Sequence, residues 1–159
     1  MAKVLVVYYS RTGNTQTMAE LIAENLKKKG QEVILKNVEE ATPEDMQAAD
    51  GVIIGSPTYY GSMAAEVKKL LDDSVKLHGE LDGKLAAAFS TAANIAGGNE
   101  TTILDILNGL LIHGFIIQGD PMGSHYGPVA IGAPDARAKK ECQRLADRFS
   151  VLLSKIAGK

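Results

Sequence analysis

The chain has 159 residues, 45% apolar and 23% charged, which suits one globular domain with a substantial buried core. A formal charge of -2 excludes a general electrostatic affinity for nucleic acid or anionic lipid, and leaves open docking to a basic patch on a protein partner. A single cysteine, Cys142, excludes an internal disulfide and a cysteine-rich metal cluster, and no apolar run approaches membrane-spanning length. Met1-Ala2-Lys3 leads straight into a strand-like run, unlike a signal peptide, so the expected setting is a reducing cytoplasm without membrane insertion.

Val4-Leu5-Val6-Val7-Tyr8-Tyr9 is a continuous β-branched and aromatic run, the pattern of a strand buried on both faces of a parallel sheet. Met18, Leu21, Ile22 and Leu26 then mark one helical face, and Lys27 to Lys29 before Gly30 suit a helix C-terminus. Val33-Ile34-Leu35 predicts a second strand, and Gly51-Val52-Ile53-Ile54-Gly55 a third, with a short helical link begun by Thr42-Pro43-Glu44-Asp45. Met63, Val67, Leu70 and Leu71 stripe the next helix, and Leu85-Ala86-Ala87-Ala88-Phe89 is a fourth strand. Ile103, Ile106, Leu107, Leu110 and Leu111 stripe a third long helix, Gly114-Phe115-Ile116-Ile117 makes a fifth strand, and Ala138, Cys142, Leu145, Phe149, Leu152, Leu153 and Ile156 fall on one stripe of a terminal helix. Strands alternating with helices predict a single-domain α/β protein, a doubly wound parallel five-stranded sheet with helices on both faces. Residues 118–133 break this economy: four glycines, two prolines and no sustained period predict a binding loop.

In such a sheet, ligands bind beyond the carboxyl ends of the strands, near the point where strand order reverses. Three loops qualify. In Ser10-Arg11-Thr12-Gly13-Asn14-Thr15, hydroxyls and a permissive glycine gather donors at a helix N-terminus, where free amides and the helix dipole favour an anion. A plain helix cap is the competing reading, since Ser, Thr and Asn are preferred caps. The segment is neither a Walker loop nor a Gly-x-Gly-x-x-Gly turn, which argues against a nucleoside triphosphate or a Rossmann-type NAD site. The second loop, Gly55-Ser56-Pro57-Thr58-Tyr59-Tyr60-Gly61-Ser62-Met63, sets two adjacent tyrosines on a turn, one free to stack on a flat ring, beside a glycine whose peptide can reorient without steric penalty. The third, Ser90-Thr91-Ala92-Ala93-Asn94-Ile95-Ala96-Gly97-Gly98-Asn99, carries no charge and suits a neutral heteroaromatic ring, with Asn99 as an alternative cap for a helix starting at Glu100. Together they describe a ligand with a phosphate at one end and a planar ring at the other.

Ser10-x-Thr12-Gly13-x-Thr15 after Val-Leu-Val-Val-Tyr-Tyr resembles the flavodoxin phosphate-binding signature. Ser56-Pro57-Thr58-Tyr59-Tyr60-Gly61-Ser62-Met63, residues 83–98 and His125-Tyr126-Gly127-Pro128 resemble the tryptophan-repressor-binding-protein-like branch of that superfamily, which includes NAD(P)H:quinone oxidoreductases. The similarity runs from Lys3 to about Ile156. It implies the flavodoxin strand order 2-1-3-4-5 and a non-covalent FMN. The phosphate would sit on Ser10, Arg11, Thr12, Gly13, Asn14 and Thr15, and the ring between Pro57, Thr58, Tyr59, Tyr60, Gly61 and Ser62 on one side and Ser90, Thr91, Ala92, Ala93, Asn94, Gly97 and Gly98 on the other. Alignment with the family's loop favours Tyr60 as the stacking ring.

His125, in the long loop, is the candidate catalytic residue: beside the flavin it would bind or protonate a quinone oxygen, against the reading of an exposed histidine with no role. His113 ends a helix, where its charge would complement the dipole, and His78 sits in a polar linker. Cys142 and Arg148 fit a phosphatase-like spacing, but a helix runs between them, so Cys142 is read as buried and inert. No histidine and carboxylate pairing has metal-ligand spacing. The short chain and compact fourth-strand loop favour an electron carrier serving redox protein partners. The second-loop motif, His125 and the mild acidity favour a reductase acting on a small quinone or nicotinamide substrate. A flavin-dependent docking module and a homodimer also stay open.

Overall fold

The computed structural model describes residues 1–158. In chain order the elements are β1 (Lys3–Tyr8), α1 (Asn14–Lys28), β2 (Glu32–Asn37), α2 (Pro43–Ala48), β3 (Gly51–Tyr59), β4 (Ser62–Met63), α3 (Ala65–Asp73), a 3-10 turn (Ser74–Leu77), β5 (Leu85–Ala92), α4 (Asn99–Ile112), β6 (Ile116–Ile117), β7 (Val129–Ile131) and α5 (Ala136–Ile156).

Strand alternation sorts the apolar residues into two layers. Leu5 and Val7 of β1 face Met46, Val67, Leu70, Ile103 and Ile106 from α2, α3 and α4. Val4 and Val6 face Met18, Ile22 and Leu26 of α1 and Ala138, Cys142, Phe149 and Leu153 of α5. Every one of these side chains is less than one-tenth exposed, which is why β1, β3 and β5 read as unbroken apolar runs. Thr42 opens α2 with a reciprocal cap, its hydroxyl accepting from the Asp45 amide while the Asp45 carboxylate accepts from the Thr42 amide.

The main sheet order is β2-β1-β3-β5-β6, all parallel, which is the doubly wound flavodoxin-like order expected from the sequence. The strand count differs. The fifth position is shared by two pieces: β6 pairs with Leu85 and Ala86, and β7 with Ser90, Thr91 and Ala92. Gly114 and Phe115, expected in the fifth strand, precede it, while residues 129–131, expected in the loop, form β7. The intervening chain is drawn off the sheet edge because Asp120 is bound by Arg144 and Arg148 of α5. It returns where Gly127 presses against the Ala88 carbonyl, so closely that a Cβ there would lie 2.1 Å from that oxygen. Met63, expected on the stripe of the next helix, and Ser62 of the second loop fold back on Thr58 and Tyr59 as an antiparallel hairpin.

β1 connects to β2 on one side while β3 connects to β5 on the other, so the order reverses between β1 and β3. Tyr8 is level with Gly55, Gly55 with Phe89, and Pro57 with Thr91. The three candidate loops therefore emerge from one edge of the sheet, at the reversal point.

Candidate functional site

The first loop turns into α1 at Gly13, whose φ of +94° is a left-handed conformation that L side chains resist. Ser10 Oγ accepts from the Gly13 amide at 3.1 Å and closes the turn. No side chain caps α1, so the plain-cap reading fails: among the described residues, no protein acceptor meets the amides of Asn14, Thr15 and Gln16. Arg11 and Thr12 are exposed beside them. Thr15 is buried, its Oγ1 2.8 Å from Thr91 Oγ1, which ties the first loop to the third.

In the second loop, Ser56 is fully buried, accepting from the Ala64 amide at 2.9 Å and donating to the Pro57 carbonyl. Tyr60 and Gly61 have φ of +50° and +78°, the pair of left-handed residues that a tight two-residue hairpin turn requires. This turn separates the two tyrosines. The Tyr59 ring meets the Tyr9 ring edge-on at 6.4 Å and packs against the core, whereas Tyr60 is fully exposed.

β5 runs on through Ala92, so Ser90, Thr91 and Ala92 are strand residues rather than loop. The Ser90 hydroxyl is buried and donates to the Asn99 carbonyl. Ala93, Asn94 and Gly97 are exposed and uncharged. Ala96 at φ +55° and Tyr60 are the two non-glycine residues with positive φ among those described, and both stand in the loops expected to flank the ring. Such strain persists only where the surroundings over-determine it, and it gathers at functional sites. Gly98, at φ +106°, lets the second and third loops touch: a Cβ on it would lie 2.9 Å from Gly61 Cα and 3.0 Å from the Thr58 methyl. Asn99 is not a cap but the first residue of α4, buried, with its amide group donating to the Ala130 carbonyl.

Sequence reasoning missed what holds the second loop in place. Thr101 Oγ1 donates to the Gly61 carbonyl, Thr102 Oγ1 donates to Thr58 Oγ1 at 3.0 Å, and Ser62 Oγ donates to Asp105 at 2.6 Å. The signal was a run of polar residues on the first turns of an otherwise apolar helix, indistinguishable from ordinary helix-start polarity before the docking of α4 is known.

His125 is exposed on the edge loop, its Nδ1 2.7 Å from the Asp120 carbonyl oxygen, and lines a depression with Glu100, just past the third loop, Ile103 and Val129. The bond to Arg144 holds the Asp120 carboxyl down to about 2. His113 does not offer its charge to the end of α4. It is buried with its Nε2 2.7 Å from Ser74 Oγ, and burial, reinforced by His78, pushes its pKa down. Cys142 is buried in the α5 stripe, and burial pushes its thiol up to about 12. No helix is long and apolar enough to cross a membrane among the described residues.

The donor set is graded across the three loops, from uncapped amides and hydroxyls at residues 10–15 to uncharged backbone and an exposed aromatic at 57–62 and 93–98. That gradient fits a phosphate ester of a neutral planar ring. A family model described as a flavodoxin domain matches residues 5–105. The chain belongs to the flavodoxin family. A flavodoxin of Aquifex aeolicus is 46% identical over 159 aligned positions, covering 94% of this chain and 86% of that one. An NAD(P)H dehydrogenase (quinone) of Archaeoglobus fulgidus is 32% identical over 190 positions, covering 98% and 100%. Among solved structures, a flavodoxin from the domain Archaea superposes with a TM-score of 0.79 at 25% identity, covering 96% of this chain and 99% of that one. A flavodoxin, WrbA-like protein from Agrobacterium tumefaciens shares the fold at a TM-score of 0.82 and 23% identity, covering 98% and 99%. As a flavodoxin-family domain, the chain has a flavin-binding fold.

Proposed function

We propose that this flavodoxin-family domain binds FMN and carries electrons between redox protein partners. The observation that carries the reading is the convergence of three loops at the strand-order reversal, one presenting uncapped helix amides and two presenting uncharged, strained turns. The amides of Asn14, Thr15 and Gln16, with Ser10 and Thr12, would hold the phosphate at the positive end of the α1 dipole. The Thr15 and Thr91 hydroxyls face each other with one hydrogen apiece, so their mutual bond uses one and leaves the other to donate to a ligand oxygen. Tyr60 covers one face of the ring and the backbone of residues 93–98 lines its edge. FMN, when bound, supplies the redox chemistry; the protein sets access, orientation and partner.

One observation favours a carrier over an NAD(P)H:quinone reductase. The alignment with the Archaeoglobus fulgidus quinone dehydrogenase spans 190 positions against the 159 residues here, so that relative carries residues with no counterpart in this chain. The reductase reading rests on the similarity to quinone dehydrogenases at 32% to 36% identity. Stepwise anaerobic reduction of the FMN-loaded protein, followed by its visible spectrum, tests the choice. A carrier takes up its two electrons in two resolved steps, and its NAD(P)H oxidation with an added quinone stays at the rate of free FMN. A single two-electron step with fast NAD(P)H turnover would assign the protein to the reductases.

A further inference from the structure

From the contacts of α4 we infer that Thr101 is a positioning residue for the flavin ring, acting through the carbonyl of Gly61; the inference rests on the FMN reading above. Its Oγ1 stands between two carbonyl oxygens, that of Gly61 in the second loop and that of Gly98, 3.0 Å away, in the third. A hydroxyl has one hydrogen, so Thr101 satisfies one of these acceptors at a time and links the orientation of the Gly61 peptide to the third loop.

The setting leaves the apex carbonyl of the turn to this contact. Gly61 has φ +78° and follows Tyr60 at +50°, so the turn is held by its surroundings and not by preference. The Gly61 peptide has no side chain to restrain it, and Gly98 abuts it so closely that a Cβ on Gly98 would lie 2.9 Å from the Gly61 Cα. Thr102 holds Thr58 at one end of the turn and Asp105 holds Ser62 at the other. Among the described residues, Thr101 is the side chain that bonds the carbonyl at the apex. Because Thr101 is exposed, water competes for its bond in the flavin-free protein, and the bond contributes little to folding. Once a ring covers the apex, water is displaced and the orientation of that carbonyl is set by Thr101.

The test compares Thr101→Val and Thr101→Ser with wild type in the binding of FMN and of riboflavin, and in the midpoint potentials of bound FMN. Thr101→Val is expected to fold with unchanged urea midpoint, to weaken both ligands by the same factor of about five to ten, the worth of one hydrogen bond, and to shift the potentials. Thr101→Ser restores wild-type values because it keeps the hydroxyl. Hydrogen exchange at residues 59–62 of the flavin-free protein stays unchanged. A Thr101→Val protein with wild-type affinity and potentials overturns the inference, as does a loss of FMN binding that Thr101→Ser fails to rescue. A wild-type protein that binds neither ligand refutes the FMN reading itself, which separates the two failures.

Discussion

Thr15 and Thr91, 76 positions apart, place their buried hydroxyl oxygens 2.8 Å from each other, joining the start of α1 to the end of β5. Thr15→Val leaves the Thr91 hydroxyl without its partner, and Thr91→Val does the converse. Each single substitution is expected to cost about 1–3 kcal/mol, the penalty for a buried unsatisfied polar group. The double substitution is expected to cost less than the sum, because it removes both groups together. Urea unfolding of the three variants measures this, and strict additivity would show that the bond is not formed.

The strained loops make an opposite prediction. Ala96 holds φ +55°, a conformation that glycine adopts freely. Ala96→Gly is expected to stabilise the protein by up to about 1 kcal/mol, seen as a rise of about 2–4 °C in Tm for a domain of this size. A fall in Tm would mean that the left-handed conformation is not kept in solution.

The edge loop is tied to α5 through a carboxylate, which makes it acid-labile. Asp120, partly shielded at 13% side-chain exposure, has its pKa lowered to about 2, first by Arg144. A folded-state value below the unfolded one means that its stabilisation is present above about pH 4 and is lost as pH falls toward 2. Asp120→Asn should lower Tm at neutral pH, increase amide exchange in residues 118–128, and converge with wild type at the acid end. A constant difference across that range would place the effect elsewhere.

Much of the fold was legible because parallel strands buried on both faces must be apolar throughout. Leu5 and Val7 serve one core and Val4 and Val6 the other, so β1 could only be a central strand. The loops that follow such strands were legible by topology. The fifth strand was not, because its division depends on Asp120 meeting Arg144 and Arg148, contacts 24 and 28 positions distant along the chain. β5 was read too short because Ser90, Thr91 and Ala92 do not look like strand residues; they become one by lying between Pro57 and residues 129–131. The hairpin at Tyr60 carries no usual Asn-Gly or Asp-Gly signal, and a tyrosine at positive φ is a tertiary choice.

His113 supplies a second pH effect at the far end of α4. It is 6% exposed, its Nε2 is engaged with Ser74, and its Nδ1 has no partner, so protonating it in the fold would bury an unmatched charge. Its pKa is lowered from the ordinary 6.5 by burial first and by His78 second. The unfolded chain takes up the proton more readily, so stability is full above about pH 6.5 and declines as pH falls below it. The slope of Tm against pH between 7.5 and 5.5 should flatten in His113→Gln, whatever that substitution does to the absolute Tm. Equal slopes would remove His113 as the cause.

The most direct test of the central claim is an equilibrium titration of the flavin-free protein with FMN and, separately, with riboflavin, read by quenching of flavin fluorescence. The uncapped amides at residues 14–16 and the hydroxyls of Ser10 and Thr12 predict one FMN per chain, bound more tightly than riboflavin by at least tenfold, the margin supplied by a phosphate at a helix N-terminus. Equal affinity for the two flavins, or no binding of either, would contradict the account.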